Sequence, residues 1–155
     1  MLRFTSGEDF ATGALRYLYQ KGTEHDVFPR IIVPVEINSF PVNAIVDTGA
    51  PFVVCPPELA EVLTLVPGQA IEAFPGMVIR GRRFTGYLHE VSIRFRAEAG
   101  RDEIVFGTTL VPDEATSIYW GGWPPFIGLT GCLERLRFAV DPNTDMFYFG
   151  SLGNG

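Results

Sequence analysis

Two stretches of the chain predict β-hairpins, one from its β-branched residues and the other from residues that alternate between two faces. The first is RIIVPVEI at 30–37, which leads through Asn38 and Ser39 into FPVNAIV at 40–46 and is rich in β-branched residues. The second covers 77–95, with a turn at 80–83 and a long second strand in which alternate residues share one face. The centre of the chain is therefore predicted to be β-structure.

The rest of the chain predicts further short strands and little helix. Paired prolines in CPPELAEVLTLV, at 55–66, favour the first turn of a short helix. FIGLTGCLERLRF, at 126–138, predicts a strand that runs through Gly128 into another short helix, and strands are also predicted at 102–112 and in a hairpin at 137–150. Strands at this close spacing are typical of an all-β barrel or sandwich.

Composition and charge narrow the possible partners and the location. The chain of 155 residues has the length of one domain, and no apolar run approaches the ~20 residues of a membrane span, so no membrane partner is expected. A net charge of −6 argues against a nucleic-acid partner. Glu8, Asp9 and Arg16 interrupt any secretory signal, and Cys55 and Cys132 are predicted to be free buried thiols, so a cytoplasmic location is expected.

Several other residues are weaker candidates for a functional role. Arg80, Arg82 and Arg83 either bind an acidic substrate or, as we favour, form a solvated hairpin tip. Trp120 and Trp123 either line a substrate groove or, as we favour, pack as a plug. No zinc-ligand spacing, nucleophile elbow or phosphate-binding loop occurs, so no metal and no cofactor are expected; the isolated histidines are His25 and His89.

Asp47 is the most informative position in the chain. It follows the apolar residues AIV in the segment AIVDTGAPFVV. An unpaired carboxylate at such a place costs several kcal/mol if it is buried. A D-T-G tripeptide alone is weak, because Asp and Gly are common turn residues. Here, however, it lies between a hairpin and a second apolar run, and the apolar segment Phe126-Ile127-Gly128 follows later.

The segments AIVDTGA and FIGLTGCL together resemble the retropepsin-like aspartic proteases. The resemblance covers about residues 30–150 and implies an all-β acid protease barrel with one or two short helices, which acts on peptide or protein substrates. It implies that Asp47 is catalytic and that Thr48 bonds to a partner loop. Further loop support would come from Gly49, Ala50, Ile127 and Gly128.

The resemblance also implies a flap, which is a glycine-bearing hairpin that closes over the substrate. We place it between Gly76 and Gly86, with substrate contacts from Met77, Val78, Ile79, Arg80 and Gly81. The resulting division of the chain is an N-terminal extension at 1–28, a retropepsin-like domain at 29–150 and a C-terminal tail at 151–155. For the extension, an extra strand and a helix are both open.

This chemistry needs two carboxylates around one water molecule, and the chain has one such loop. The other aspartates lack a following Thr-Gly or Ser-Gly, so a C2 homodimer is expected to bring two copies of Asp47 together. Pro51 and Leu129 stand where viral relatives carry an acidic residue and an arginine. This departure keeps an alternative open, which is a non-catalytic retropepsin-like module that binds a peptide or protein.

Overall fold

The strands predicted from the sequence are present in the computed structural model, which describes residues 1–153. Two short helices interrupt them, of which the one at 57–62 was predicted from the sequence and the one at 114–117 was not. The strands are Gly13–Arg16 (β1), Leu18–Gln20 (β2), Arg30–Ile37 (β3), Phe40–Val46 (β4), Val53–Val54 (β5), Glu72–Ile79 (β6), Arg82–Phe95 (β7), Ala99–Gly100 (β8), Glu103–Pro112 (β9), Phe126–Ile127 (β10), Leu136–Asp141 (β11) and Met146–Ser151 (β12); the helices are Pro57–Val62 (α1) and Glu114–Ser117 (α2).

Eight of these strands form a sheet that closes on itself. Their order is β2-β3-β4-β10-β5-β9-β7-β6, and β3 also pairs with β7 at Glu36–Arg94 and Ile37–Ile93. That extra pairing joins two long strands that each lie next to one end of the sheet order, so the sheet closes into a barrel. The all-β barrel expected from the strand spacing is therefore confirmed.

The remaining four strands form a smaller sheet from both ends of the chain, in the order β11-β12-β1-β8. Strand β1 pairs with β12 over four residues, from Gly13–Phe149 to Arg16–Met146. The region 1–28 thus contributes strands, not a helix, at 13–20. Strand β12 reaches into the predicted tail, of which residues 154 and 155 lie outside the described residues.

Local chemistry explains the two main hairpin turns. Asn38 and Ser39 both have positive φ, of 47° and 69°, as a tight hairpin turn requires. Arg80 and Gly81 repeat this arrangement at the end of β6, with φ of 53° and 75°. The hairpin at 77–95 is longer than predicted, because β6 begins at Glu72. The second predicted helix is only a 3₁₀ turn at Leu133–Arg135.

The core is concentrated between the barrel and the smaller sheet. Phe95 of β7 stacks on Phe147 of β12 with ring centroids 6.0 Å apart, and both rings are fully buried. A second cluster lies on the other side of the barrel, beside the Asp47 loop. It consists of Ile32, Ile45, Val54, Phe84, Trp120 and Phe126. Trp120 is thus a packing residue, as the sequence favoured.

The two cysteines are free and buried, as predicted, which makes them unreactive in the native protein. Burial raises the pKa of both the Cys55 and the Cys132 thiol to about 12. Because the thiolate is the nucleophile, neither cysteine is expected to react with Ellman's reagent at pH 8 until the protein is unfolded in guanidinium. Rapid release of one equivalent of chromophore from the native protein would contradict this prediction.

Residues 1–153 contain neither a metal-binding cluster nor a membrane-spanning helix. Within residues 1–153, no cluster of three or more His, Cys, Asp or Glu side chains is arranged to hold a metal ion. In the same part of the chain, no helix has the length and apolar character needed to span a bilayer. The isolated His89 is buried in β7, and burial lowers the pKa of its imidazole.

Candidate active site

Asp47 lies in a tight loop immediately after β4. Its backbone N–H donates to the Ile127 carbonyl at 3.0 Å, and its carbonyl accepts the Ala50 N–H at 3.1 Å. Its carboxylate Oδ1 accepts the Gly49 N–H at 3.0 Å. This is the side-chain-to-backbone bond that Asp commonly makes two residues along a turn, and it fixes the direction of the half-buried carboxylate.

Strand β10 supports this loop from behind. It runs parallel to β4, with Phe126 opposite Ile45, and antiparallel to β5, with Phe126 also opposite Val54. The strands before and after the Asp47 loop are therefore both tied to β10. Beyond β10, Leu129 N–H donates to the Ala50 carbonyl at 2.7 Å.

Gly128 is essential to this close approach. A Cβ built at this position would collide with the Phe52 carbonyl oxygen and would lie 2.6 Å from that of Ala50. Real Cβ atoms do not approach backbone oxygens so closely, so a side chain here would push the support strand away from the loop. Ile127 is fully buried next to it.

The outer side of the loop is open. Thr48 and Gly49 are exposed, and Leu129 is 40% exposed beside them. Within the described part of the chain, the Thr48 hydroxyl makes no hydrogen bond. The loop thus presents short polar and apolar groups to the surroundings, while Ala50 is buried and Pro51 is half-buried.

A cavity of about 310 Å³ separates the Asp47 loop from the end of the β6–β7 hairpin. We call residues 76–86 of that hairpin the flap hairpin. One wall is formed by Asp47 and the loop that follows it. The opposite wall contains four of the five predicted flap residues, and Gly81 is not among the lining residues; the full lining is Arg30, Asp47, Gly49, Ala50, Pro51, Met77, Val78, Ile79, Arg80 and Phe126.

The tip of the flap hairpin is held on two sides. Arg80 donates to an Asp26 oxygen at 2.8 Å, and its guanidinium lies over the Trp123 ring. Arg82 lies over Tyr119, with 4.8 Å from Cζ to the ring centroid. Arg80, Arg82 and Arg83 are exposed residues, as the solvated-tip interpretation expects, but the Arg80 side chain is only 30% exposed and is paired with Asp26.

Asp26 lies next to the cavity and pairs with two arginines. It accepts two hydrogen bonds from Arg30, at 3.1 and 3.2 Å, as well as the bond from Arg80. The Arg30 hydrogen bonds, assisted by the charges of both arginines, hold the pKa of Asp26 below its usual range despite the opposing effect of burial. Asp26 is therefore ionised at neutral pH.

Sequence reasoning missed Asp26 and Arg30 as neighbours of the cavity, and for Trp123 it favoured a packing role over a place in a substrate groove. The opposite charges of Asp26 and Arg30, four positions apart, were the one available signal, and they indicate only a local pair. The contact between Asp26 and Arg80 joins segments that are far apart in the chain, and no local sequence pattern predicts it.

Comparisons with known proteins agree with this geometry. Residues 33–94 match the family model described as aspartyl protease. The fold is similar to the crystal structure of a retropepsin-like aspartic protease from Rickettsia conorii, with a TM-score of 0.53 and 16% identity over 90% of this chain and 95% of that one. No curated protein matches the chain.

A second solved structure, EIAV protease complexed with the inhibitor HBY-793, is similar at a TM-score of 0.44, with 22% identity over 64% of this chain and 81% of that one. The Rickettsia match confirms the retropepsin-like fold expected from the sequence. Together with the family match over 33–94, it bears out the resemblance to retropepsin-like aspartic proteases.

Proposed function

We propose that this chain, which has a retropepsin-like fold, is an aspartic endopeptidase that acts as a homodimer. The observation that supports the proposal best is the position of Asp47, whose carboxylate faces a cavity closed on its other side by a hairpin. Peptide hydrolysis at such a site needs one carboxylate to take a proton from water and a second to give a proton to the substrate carbonyl oxygen. The two Asp47 side chains would perform these two roles.

The electrostatics of this arrangement set the working pH. Two carboxylates a few ångströms apart cannot both ionise without a large penalty, so the pair shares one proton across an acidic range. The Gly49 N–H bond occupies Oδ1 of Asp47 and leaves Oδ2 available for water. Activity is therefore expected at acidic pH, where one proton is held between the subunits.

The open side of the loop supports a second copy as the source of the other carboxylate. Thr48 and Leu129 are exposed there, and Pro51 lies next to them. An apolar pair at 51 and 129 is suited to burial between two copies, because it carries no charge that would need a partner. Thr48 would then find its hydrogen-bond partner across the twofold axis.

A non-catalytic binding module is the second candidate, and one observation favours it. Strands β1 and β12 pair with each other inside the chain, so these terminal strands are already used within one molecule. A dimer would have to be held by the Asp47 face without an interchain sheet built from them. In this alternative, Asp47 serves the Gly49 hydrogen bond, and the cavity binds a peptide without cleaving it.

Subunit mixing separates the two candidates. A tenfold excess of the Asp47→Asn variant, added to wild-type protein, is expected to lower cleavage of an unstructured protein at acidic pH about tenfold, because most wild-type chains would pair with inactive ones. An Asp47→Asn chain that also carries Leu129→Glu should not have this effect, since its charge would be buried at the interface.

Sedimentation of the wild-type protein should show a dimer at the concentrations where cleavage is observed. Cleavage that is unaffected by the excess variant would contradict the shared pair of carboxylates. A protein that binds peptides and cleaves none of them would favour the binding module.

A further inference from the structure

The segment before β3 carries a carboxylate that is fixed to the barrel and reaches the flap hairpin. Asp26 is anchored by its two hydrogen bonds from Arg30, which begins β3. Its backbone is held by Thr23, whose hydroxyl accepts the Asp26 N–H at 3.0 Å and whose own N–H donates to the Asp26 carbonyl at 2.6 Å. The Asp26 side chain is 13% exposed, so its position is well defined.

The other side of the flap tip meets an equally fixed group. Arg80 lies over Trp123, and the Trp123 carbonyl accepts the indole N–H of Trp120 at 2.6 Å. Trp120 is 3% exposed and belongs to the second core cluster. The guanidinium of Arg80 thus lies between the half-buried ring of Trp123 and the anchored Asp26 carboxylate, and both contacts favour a fixed position for an arginine.

The cavity under this fastened hairpin is small in the single chain. Its volume of about 310 Å³ is at the lower end of the range, roughly 300–1,000 Å³, that small-molecule pockets occupy. An extended peptide passing between Asp47 and the flap hairpin would need more room than this, and a lifted hairpin would provide it. Arg80 cannot move away from Asp47 without leaving Asp26.

The hairpin has a place at which it can bend. The pairing of β6 with β7 shifts register between Phe74 and Met77, and Gly76 within this gap has a φ of +126°. An irregularity of this kind weakens the strand ladder locally. Movement about residues 74–77 would carry the tip as a unit, since the pairs from Met77–Phe84 to Ile79–Arg82 continue beyond the gap.

We propose that Asp26 is a positioning residue that holds the flap hairpin closed over Asp47 through Arg80. The Asp26–Arg80 ion pair, here called the latch, sets the fraction of molecules that are open to a polypeptide substrate. The latch itself depends only on the contacts described, whereas its effect on cleavage rests on the proposed protease function.

Tryptophan fluorescence tests the latch without any need for activity. The chain has two tryptophans, of which Trp120 is buried and Trp123 is covered by Arg80. In Asp26→Asn, acrylamide quenching of the total tryptophan fluorescence is expected to rise as Trp123 becomes uncovered. Asp26→Glu, which keeps the charge, should restore quenching toward the wild-type level.

The exposed Arg3–Asp9 pair supplies a matched control, since its 3.1 Å contact lies outside the site. Asp9→Asn removes one carboxylate from an ion pair in the same way and should leave quenching unchanged. If Asp26 only stabilised the segment 23–30, Asp26→Asn would lower the unfolding midpoint without exposing Trp123.

Cleavage kinetics test the consequence. If the lifted hairpin is the state that admits substrate, its population scales the apparent affinity, and Asp26→Asn should raise kcat/KM for an unstructured protein by up to about fivefold, the factor that corresponds to about 1 kcal/mol. A kcat/KM that stays at the wild-type level while quenching rises would contradict a role in substrate entry.

The latch and the proposed function fail in different ways. Quenching in Asp26→Asn that equals the wild-type value, or an equal rise in Asp9→Asn, would overturn the latch whether or not the protein cleaves a substrate. A wild-type protein without any cleavage activity would overturn the proposed function, and the quenching result would still decide on the latch.

Discussion

If the proposed function holds, replacement of Asp47 by Asn is expected to lower kcat for peptide hydrolysis at least about 10³-fold, because both members of the proposed carboxylate pair change at once and each acid–base role contributes roughly 10²–10⁴-fold. Asparagine cannot take a proton from water at acidic pH, nor can it pass one to the carbonyl oxygen. Its amide oxygen can still accept the Gly49 N–H bond that Oδ1 accepts in the wild type. The loop should therefore persist while the chemistry is lost.

Asp141 provides a matched control for this substitution. Its Oδ1 accepts the backbone N–H of Asn143 at 2.9 Å, which repeats the local bond between Asp47 and Gly49 at a place remote from the cavity. Asp141→Asn should retain full activity. Both variants should unfold in urea close to the wild type, within the ~0.5 kcal/mol typical of substitutions away from the core. Residual cleavage by Asp47→Asn above roughly 10⁻² of the wild-type rate would contradict the assignment of Asp47 as a catalytic residue.

Replacement of Gly128 by Ala is expected to lower the free energy of unfolding by about 2–3 kcal/mol, the upper part of the range for overpacking. The added methyl group would meet the carbonyl oxygens of Phe52 and Ala50, which belong to backbone that cannot swing aside as a flexible side chain can. Such a loss is a large share of the roughly 5–15 kcal/mol that stabilise a typical domain. It should be measured as a shift of the urea unfolding midpoint.

Activity should fall with stability in this variant, because the neighbouring Ile127 carbonyl accepts the Asp47 backbone N–H. Any retreat of the support strand moves the carboxylate. Gly68→Ala is the matched control, since a Cβ at Gly68 meets nothing within 4 Å and its φ is not positive. It should be neutral or stabilising by up to ~1 kcal/mol. Equal stability of the two alanine variants would disprove the tight contact at Gly128.

The sequence predicted the elements in which neighbouring residues decide the structure. Alternation and β-branched residues identified both central hairpins, and Asn38-Ser39 marked the turn between β3 and β4. The prolines before α1 and the D-T-G turn are local signals of the same kind. In each case the side chains and the backbone preference that specify the element lie within a few residues of each other.

Features that depend on distant pairing could not be predicted in the same way. Strands β2 and β8 are too short for any periodic pattern, and they exist because longer strands pair with them. The place of β10 between β4 and β5 came from the resemblance, since two apolar residues fit many positions. The meeting of Asp26 with Arg80 depends on how the barrel brings two loops together, which charge patterning along the chain does not encode.

The position of β10 also has a consequence for how the protein matures. The turn that carries Asp47 is held by backbone contributed much later in the chain, from Ile127, Leu129 and Gly131. Contacts between such distant segments close slowly, because loop-closure entropy must be overcome before they form. A nascent chain that has not yet reached Ile127 would hold its D-T-G turn without this scaffold, so the proposed catalytic loop would take its final form only after that segment is made.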